Sequence, residues 1–333
     1  MSRLMNYREG VIGLGYDFIK ARVLQTAFEL DLFERIGQET KTVRTLAEEM
    51  KANQRSLELF LNAVASLGFL EVDGSGYHNT KYGKEIFLKA APLYIGDYIK
   101  LHGDGFQDWA KLGEVVRLGK SIDQPDFFKT HQPEVTAGFA HAMHNTAMGH
   151  AEHLAKKLSL KGAKTLLDLG GGPGTFTIHF LKENSELKAT IFDLPETLKT
   201  TCQYVERAQV SNRVEFQAGD FNQDEIHGTF DVCFLSHIIH GQDVQKNQKL
   251  FSKVFAHLNP DGRFIVQDFF LNPDKHSPQF SVLFALMMLL HTEGGKTYSF
   301  EEVEEWMRAA GFSKTTRLRL QLPRAISLLI GEK

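Results

Sequence analysis

Hydrophobic and polar positions follow two different periods along this chain, and the change falls near residue 161. Before it, apolar residues such as Phe18, Val23, Leu24, Ala27, Phe28 and Leu32 recur at helical spacing, the stripe of helices with one buried face. Residues 42–50 and 53–67 read as a helix-turn-helix; 68–72, an Asp73-Gly74-Ser75-Gly76 turn and 77–80 read as a hairpin. Two helices and a short hairpin make a winged-helix unit. Residues 105–157 read as further helices, with a break near Asp123-Gln124-Pro125 and a last helix over about 133–158. Beyond Lys161-Gly162-Ala163, short apolar strands at 165–169, 189–192, 214–218, 232–235 and 262–267 alternate with helical stretches. That alternation predicts an α/β fold with a parallel sheet and helices on both faces. Residues 315–320 and 325–330, joined by Gln321-Leu322-Pro323-Arg324, read as a terminal hairpin, so one edge strand is expected to be antiparallel. The expected division is 1–104, 105–160 and 161–333.

Composition narrows the partners more than the fold. A chain of 333 residues with 42% hydrophobic and 24% charged residues can build two ordinary globular domains and shows no bias toward disorder. Its net charge of -3 gives no general attraction for nucleic acid or anionic membrane, so small, specific partners are expected. The second helix of the winged-helix unit supports that expectation. It offers only Arg55 and Glu58 as charges beside Leu57, Leu59, Phe60, Leu61, Val64 and Leu67, a face built for packing rather than for reading DNA. Cys202 and Cys233 stand far apart, which favours neither a disulfide framework nor a thiolate zinc site and fits a cytoplasmic setting. Residues 1–10 lack the apolar stretch of a signal peptide. The longest apolar run, 280–290, is too short for a bilayer and is expected to be a buried helix.

The clearest chemical signal is Asp168-Leu169-Gly170-Gly171-Gly172-Pro173-Gly174, between the first strand of the sheet and a helix starting near Phe176. In open α/β sheets such turns, at the carboxyl ends of strands, are where nucleotides bind, and glycines let the backbone approach the ligand. The dinucleotide spacing Gly-x-Gly-x-x-Gly fails, because its last position would be Thr175 or Thr177. Asp193, ending the second strand, can accept both ribose hydroxyls. Asp220 can accept from an adenine amino group while Phe221 covers the ring; Leu194 and Ser236 belong to the same expected set.

Asp-x-Gly-x-Gly-x-Gly resembles the first motif of class I S-adenosylmethionine-dependent methyltransferases. The fourth strand leads into His237-Ile238-Ile239-His240 and the fifth ends on Gln267-Asp268. With these, nearly the whole chain resembles the small-molecule O-methyltransferases of the plant caffeate and acetylserotonin type. The resemblance implies a Rossmann-like seven-stranded sheet, an N-terminal winged-helix dimerisation domain, a homodimer, and S-adenosylmethionine as donor with S-adenosylhomocysteine as product. It also implies His240 as general base, Asp268 as the acid that holds its imidazole, and no metal. A small aromatic acceptor would be walled by Phe139, Met143, Asn145, Met288, His291 and Thr292. A base is useful because a phenol of pKa near 10 lies about three units, roughly 4 kcal/mol, from ionised at neutral pH.

Two positions depart from the family pattern. Gly241-Gln242 follows His240 where an Asp-Trp pair is usual, and Gly294-Gly295-Lys296 leads to Thr297 where a second acid is usual; Glu293 is no obvious replacement. Carbon, nitrogen or sulfur therefore stays open as the accepting atom, and a ligand-responsive DNA-binding regulator is the alternative from another class. The pairs His141/His144 and His150/His153 have metal-compatible spacing, yet no carboxylate or cysteine completes a set, and a wetted helix face is expected.

Overall fold

The computed structural model describes residues 3–74, 76–122, 132–320 and 322–333. The expected break at 123–125, the turn residue Ser75 and Gln321 of the tail connection lie outside the described residues. The chain divides into two compact units, Met1–Phe106 and Gln107–Lys333.

In the first unit, helices α1 (Arg3–Glu29), α2 (Leu32–Ile36), α3 (Val43–Met50) and α4 (Gln54–Ser66) precede β1 (Leu70–Asp73) and β2 (Gly76–Asn79), then α5 (Lys81–Ile86) and α6 (Gly96–Asp104). Side-chain caps fix the helix starts: Thr42 accepts from the Thr45 amide, Asn53 from Ser56 and Thr80 from Gly83. On α4, Leu57, Leu61 and Val64 share one face and are buried with Phe28, Phe33, Leu46, Leu70 and Phe87. The buried Asn79 amide donates to Phe33 O and Gly37 O, tying the hairpin to the end of α2. Helix α1 is different. Of its 27 residues only Ala27 and Phe28 are buried, while Leu4, Tyr7 and Leu14 are each more than 70% exposed.

The second unit opens with a 3-10 turn and α7 (Leu112–Leu118), α8 (Pro133–Met148) and α9 (Ala151–Leu158). Then β3 (Thr165–Leu169), α10 (Thr175–Glu183), β4 (Lys188–Asp193), α11 (Pro195–Arg207), β5 (Val214–Ala218), β6 (Phe230–Ser236), α12 (Val244–Ala256) and β7 (Leu258–Asp268) alternate. Helices α13 (Gln279–His291) and α14 (Phe300–Ala310) and strands β8 (Lys314–Leu318) and β9 (Ser327–Glu332) complete it. The seven strands lie in the order β5-β4-β3-β6-β7-β9-β8, parallel from β5 to β7, with β9 antiparallel to both β7 and β8. This is the expected seven-stranded sheet with its antiparallel terminal hairpin.

Both faces of the sheet are covered, which is why its central strands carry runs of adjacent apolar residues, such as Leu166-Leu167 and Val232–Leu235, rather than alternating ones. Leu166, Val232, Phe234, Ile265 and Leu328 enter one core with α9 and α10 residues. Leu167, Leu169, Cys233, Leu235, Phe264, Val266 and Leu329 enter the other with α12 and α14 residues. The chain leaves β3 toward β4 on one side and returns to β6 on the other, and this reversal opens a crevice at the carboxyl ends of β3 and β6.

Two expectations are corrected. The helix anticipated over 133–158 is interrupted at Gly149, because His150 takes a non-helical φ of -148° and its ring is buried against Phe176. The 280–290 helix is only partly buried: Ser281, Met288 and Leu290 are inside, whereas Leu283 is 54% exposed. Among the described residues no helix is long and apolar enough to cross a membrane.

Candidate active site

The glycine turn lies where β3 hands the chain to α10. Gly170 has φ of 68°, and a Cβ there would stand 2.6 Å from Ile238 Cδ1, so a side chain is excluded by both backbone and space. Gly172, with φ of 53°, borders open space: nothing described lies within 4 Å of where its Cβ would be. Its amide donates to Asp193 Oδ2 at 2.7 Å, the Leu194 amide donates to Asp193 Oδ1 at 2.7 Å, and the Thr201 hydroxyl donates to Gly172 O at 2.6 Å. The turn is thus pinned to the end of β4 and the middle of α11. Burial pushes the Asp193 carboxyl above its ordinary pKa, while these amide bonds work against that rise. Gly174, with φ of 71°, packs against Ile191 and Thr201 and starts α10.

Asp168 sits beneath this turn rather than in its mouth. It is 2% exposed, accepts the Thr177 hydroxyl at 2.6 Å, and burial raises its carboxyl to about 7. Asp220 accepts from the Asn222 amide and the Gln223 side chain, and Lys253 holds the Phe221 and Asp224 carbonyls from α12. The Phe221 ring comes within 3.2 Å of the Cβ position on Gly170, so it borders the turn. Ser236, at the end of β6, has a buried hydroxyl with no hydrogen-bond partner among the described residues. An open backbone amide turn, an aromatic ring beside it, carboxylates after β4 and β5 and an unsatisfied hydroxyl suit a nucleoside-bearing group.

His240 stands on a 3-10 turn, Ile239–Gly241, that follows β6. Parallel pairing of β6 with β7 sets Ser236 opposite Gln267, and the next step brings Asp268 to the histidine. His240 Nδ1 is 2.8 Å from Asp268 Oδ1, with both residues buried. Burial acts to raise the pKa of Asp268, but the His240 ring hydrogen-bonded to it and the Phe269 amide work against that and the carboxyl is held below its ordinary value. An ionised Asp268 places the proton of a neutral His240 on Nδ1 and its lone pair on Nε2. That Nε2 has no protein hydrogen-bond partner among the described residues. Around the imidazole stand Phe284, edge-on at 4.8 Å, and Phe269, which packs against Phe280 and Phe284.

The backbone of the His240 turn is held from three sides. Asn247 donates to Ile239 O at 2.9 Å, Tyr298 donates to Gln242 O at 2.6 Å, and a Cβ on Gly295 would lie 2.4 Å from His240 O. Glycine at 295 is what lets the Gly294-Gly295-Lys296 segment close on the turn. Thr297, 3% exposed, donates its hydroxyl to Ser281 O at the start of α13. Thr292 donates to Met288 O and accepts from the Gly295 amide, closing the other end of that helix.

Of the remaining expected wall residues, Met288 is buried and His291 half-buried on α13, while Phe139 and Met143 are half-buried and Asn145 is buried on α8. Of the histidines expected on a wetted helix face, His153 on α9 is exposed, whereas His150 is buried and His141 and His144 on α8 are packed. His141 Nδ1 lies 2.6 Å from the Tyr204 hydroxyl, and His144 Nδ1 lies 2.7 Å from the Thr175 hydroxyl, with its ring stacked on Tyr204 at 3.9 Å.

Sequence reasoning passed over His237. It holds φ of 57°, costly for a residue with a side chain, and its buried Nδ1 has no hydrogen-bond partner among the described residues while Nε2 lies 3.1 Å from the Gln267 amide nitrogen. Burial lowers its pKa to about 3, so the ring is neutral. His237, His240 and Asp268 each offer one ligand atom within 4.8 Å of the others, the one such group among the described residues. The His240–Asp268 hydrogen bond already engages an atom of each. Phe269, Phe284 and Tyr298 were also passed over; the apolar run and the Gly-Gly-Lys segment carried the only signals for them.

Residues 111–313 match the O-methyltransferase domain family and residues 14–89 the O-methyltransferase dimerisation domain family. The tetracenomycin polyketide synthesis 8-O-methyl transferase of Streptomyces glaucescens is 30% identical over 328 residues, 97% of this chain and 96% of that protein. The 3-hydroxy-5-methyl-1-naphthoate 3-O-methyltransferase of Streptomyces sahachiroi is 27% identical over 321 residues, 94% and 92% of the two chains. The crystal structure of human N-acetylserotonin methyltransferase in complex with SAM has the same fold, with a TM-score of 0.90 at 22% identity, covering 100% of this chain and 98% of that one. The chain belongs to the O-methyltransferase family and is an S-adenosylmethionine-dependent O-methyltransferase with a dimerisation domain in its N-terminal part.

Proposed function

We propose that the enzyme methylates a hydroxyl of a small aromatic or polycyclic metabolite, with His240 as general base and Asp268 as the group that orients it. The buried hydrogen bond from His240 Nδ1 to Asp268 carries this reading, because it leaves Nε2 as a lone pair beside an aromatic rim. From there Nε2 takes the phenol proton as oxygen attacks, and Asp268 stabilises the imidazolium that forms. S-adenosylmethionine, when bound, supplies a methyl group already activated as a sulfonium. The residues that would hold it are the backbone of Gly170, Gly172 and Gly174, Asp193 with Leu194 for the ribose, Asp220 and Phe221 for the adenine, and Ser236. Asp168 supports the turn from below through Thr177.

Phe139, Met143, Asn145, Met288 and His291 form the acceptor wall in this reading. Thr292 adds its methyl group rather than its hydroxyl, which both neighbours already occupy. The names of two relatives, a polyketide 8-O-methyl transferase and a hydroxynaphthoate 3-O-methyltransferase, support a fused-ring phenol.

A homodimer formed through the N-terminal unit is supported by the exposed apolar residues of α1, Leu4, Tyr7 and Leu14 among them. The free thiols of Cys202 and Cys233 favour a cytoplasmic setting.

The experiment is a methyl-transfer assay over a panel of hydroxynaphthoates and larger fused-ring phenols, with products resolved by mass spectrometry and NMR. O-methyl products are expected, and His240→Ala should lower turnover by roughly 10²–10⁴ while keeping cofactor affinity. Turnover equal to the parent enzyme in that variant overturns the base assignment; N-, C- or S-methyl products overturn the hydroxyl.

A further inference from the structure

The packed histidine face of α8 is tied to the glycine turn through α10 and α11. On a helical wheel Phe139 and Met143 point one way, and His141 and His144 about 150° away from them. Two routes leave the histidine face. His144 reaches Thr175 Oγ1 at 2.7 Å, and Thr175, 2% exposed, is the first residue of α10, directly after Gly174. His141 reaches the Tyr204 hydroxyl at 2.6 Å, and Tyr204 lies on α11, whose Thr201 donates to Gly172 O at 2.6 Å. The His144 ring stacked on Tyr204, at 3.9 Å and 25°, joins the routes to each other. Both end on the glycine turn, one at its exit into α10 and the other at the carbonyl of the residue whose amide Asp193 holds.

We propose that His141, His144 and Tyr204 form a latch between the cofactor turn and the acceptor helix, so that filling the turn orders α8 together with the Phe139 and Met143 face. These are positioning residues: they touch Thr175 and α11, and act on the acceptor through the helix they hold. The consequence for the acceptor rests on the wall assignment made above, whereas the latch itself does not. Coupling of this kind is reciprocal, so an acceptor held by α8 tightens cofactor binding by the same factor. Burial lowers the His144 pKa to about 4, which keeps its ring neutral and able to accept the Thr175 hydroxyl near neutral pH.

Hydrogen exchange of residues 133–148 in the full chain, followed by mass spectrometry with and without saturating S-adenosylhomocysteine, tests the latch. In the parent protein the ligand should slow α8 exchange by about 10-fold or more. Thr175→Val combined with Tyr204→Phe removes one hydroxyl from each route and keeps the bulk, and should cut the slowing to within about 2-fold while calorimetry shows the ligand still bound. If the double variant does not fold, Tyr204→Phe alone, which lacks a single oxygen atom, must shift protection in the same direction. An α8 that ignores the ligand in the parent protein, or keeps its full response in the variants, overturns the proposal. Turnover is not the readout, so a failed base assignment for His240 leaves the exchange result interpretable.

Discussion

Replacing Asp268 with asparagine isolates the orienting contact from everything else in the site. Asp268→Asn keeps the size of a side chain that is 2% exposed, and its amide oxygen can still accept from the Phe269 amide, now 2.7 Å from Oδ1. What it loses is the charge facing His240 Nδ1 at 2.8 Å. A charge-assisted hydrogen bond in a buried setting contributes about 1.5–3 kcal/mol, equivalent to about 10–150-fold in rate if it is realised in the transition state. The amide also brings a donor, and if its NH₂ turns to Nδ1 the histidine proton moves to Nε2 and the base is lost, which extends the expected fall in kcat to about 10²–10⁴. Steady-state kinetics on an accepted phenol should show this fall with S-adenosylhomocysteine affinity unchanged within about 2-fold. A kcat within about 3-fold of the parent, in a variant with an unchanged melting temperature, refutes the claim that the carboxylate orients the base.

Asp193→Ala should abolish cofactor binding measured by calorimetry, and it should also lower stability by about 2–4 kcal/mol, because the Gly172 and Leu194 amides lose their acceptor; S-adenosylhomocysteine affinity near that of the parent protein overturns the assignment. Acid stability offers a separate test. Burial lowers the pKa values of His144 and His150 to about 4 and of His237 to about 3, so the unfolded chain binds more protons than the folded one below pH 6.5. Stability should therefore fall as the pH drops from 6.5 toward 4. Asp168, raised to about 7, works in the opposite sense, contributing stability at low pH that is lost as the pH rises through 7. His150→Phe should flatten the acid decline by up to about 3 kcal/mol between pH 6.5 and 4, read from denaturant midpoints across pH; an unchanged slope refutes the burial argument for that ring.

Much of this protein was determined by the order of residues along the chain alone. Strand β3 occupies the position its apolar run marks and β5 the one its alternating Val214, Phe216 and Ala218 mark, and the caps Thr42 and Asn53 start helices where short polar side chains precede an apolar stripe. Those signals are local: period, caps and glycine placement are set within a few residues of one another, so they can be read without knowing the fold. The glycine turn and the carboxylates ending successive strands belong to the same class, since a parallel sheet brings every strand end to one edge.

Only the tertiary structure decided which polar atoms meet. No local pattern distinguishes Asp193, whose carboxylate receives the amide of Gly172, from Asp168, whose carboxylate is buried against Thr177. Nor does it place Thr297 against Ser281 O, set His237 at a φ of 57° beside Asp268, or turn the histidines of α8 onto Tyr204 rather than into water. The physical reason is that a hydrogen bond depends on two partners and their separation, and these pairs lie up to 63 residues apart in the chain. Periodicity records that a side chain is buried; packing alone supplies what it is buried against.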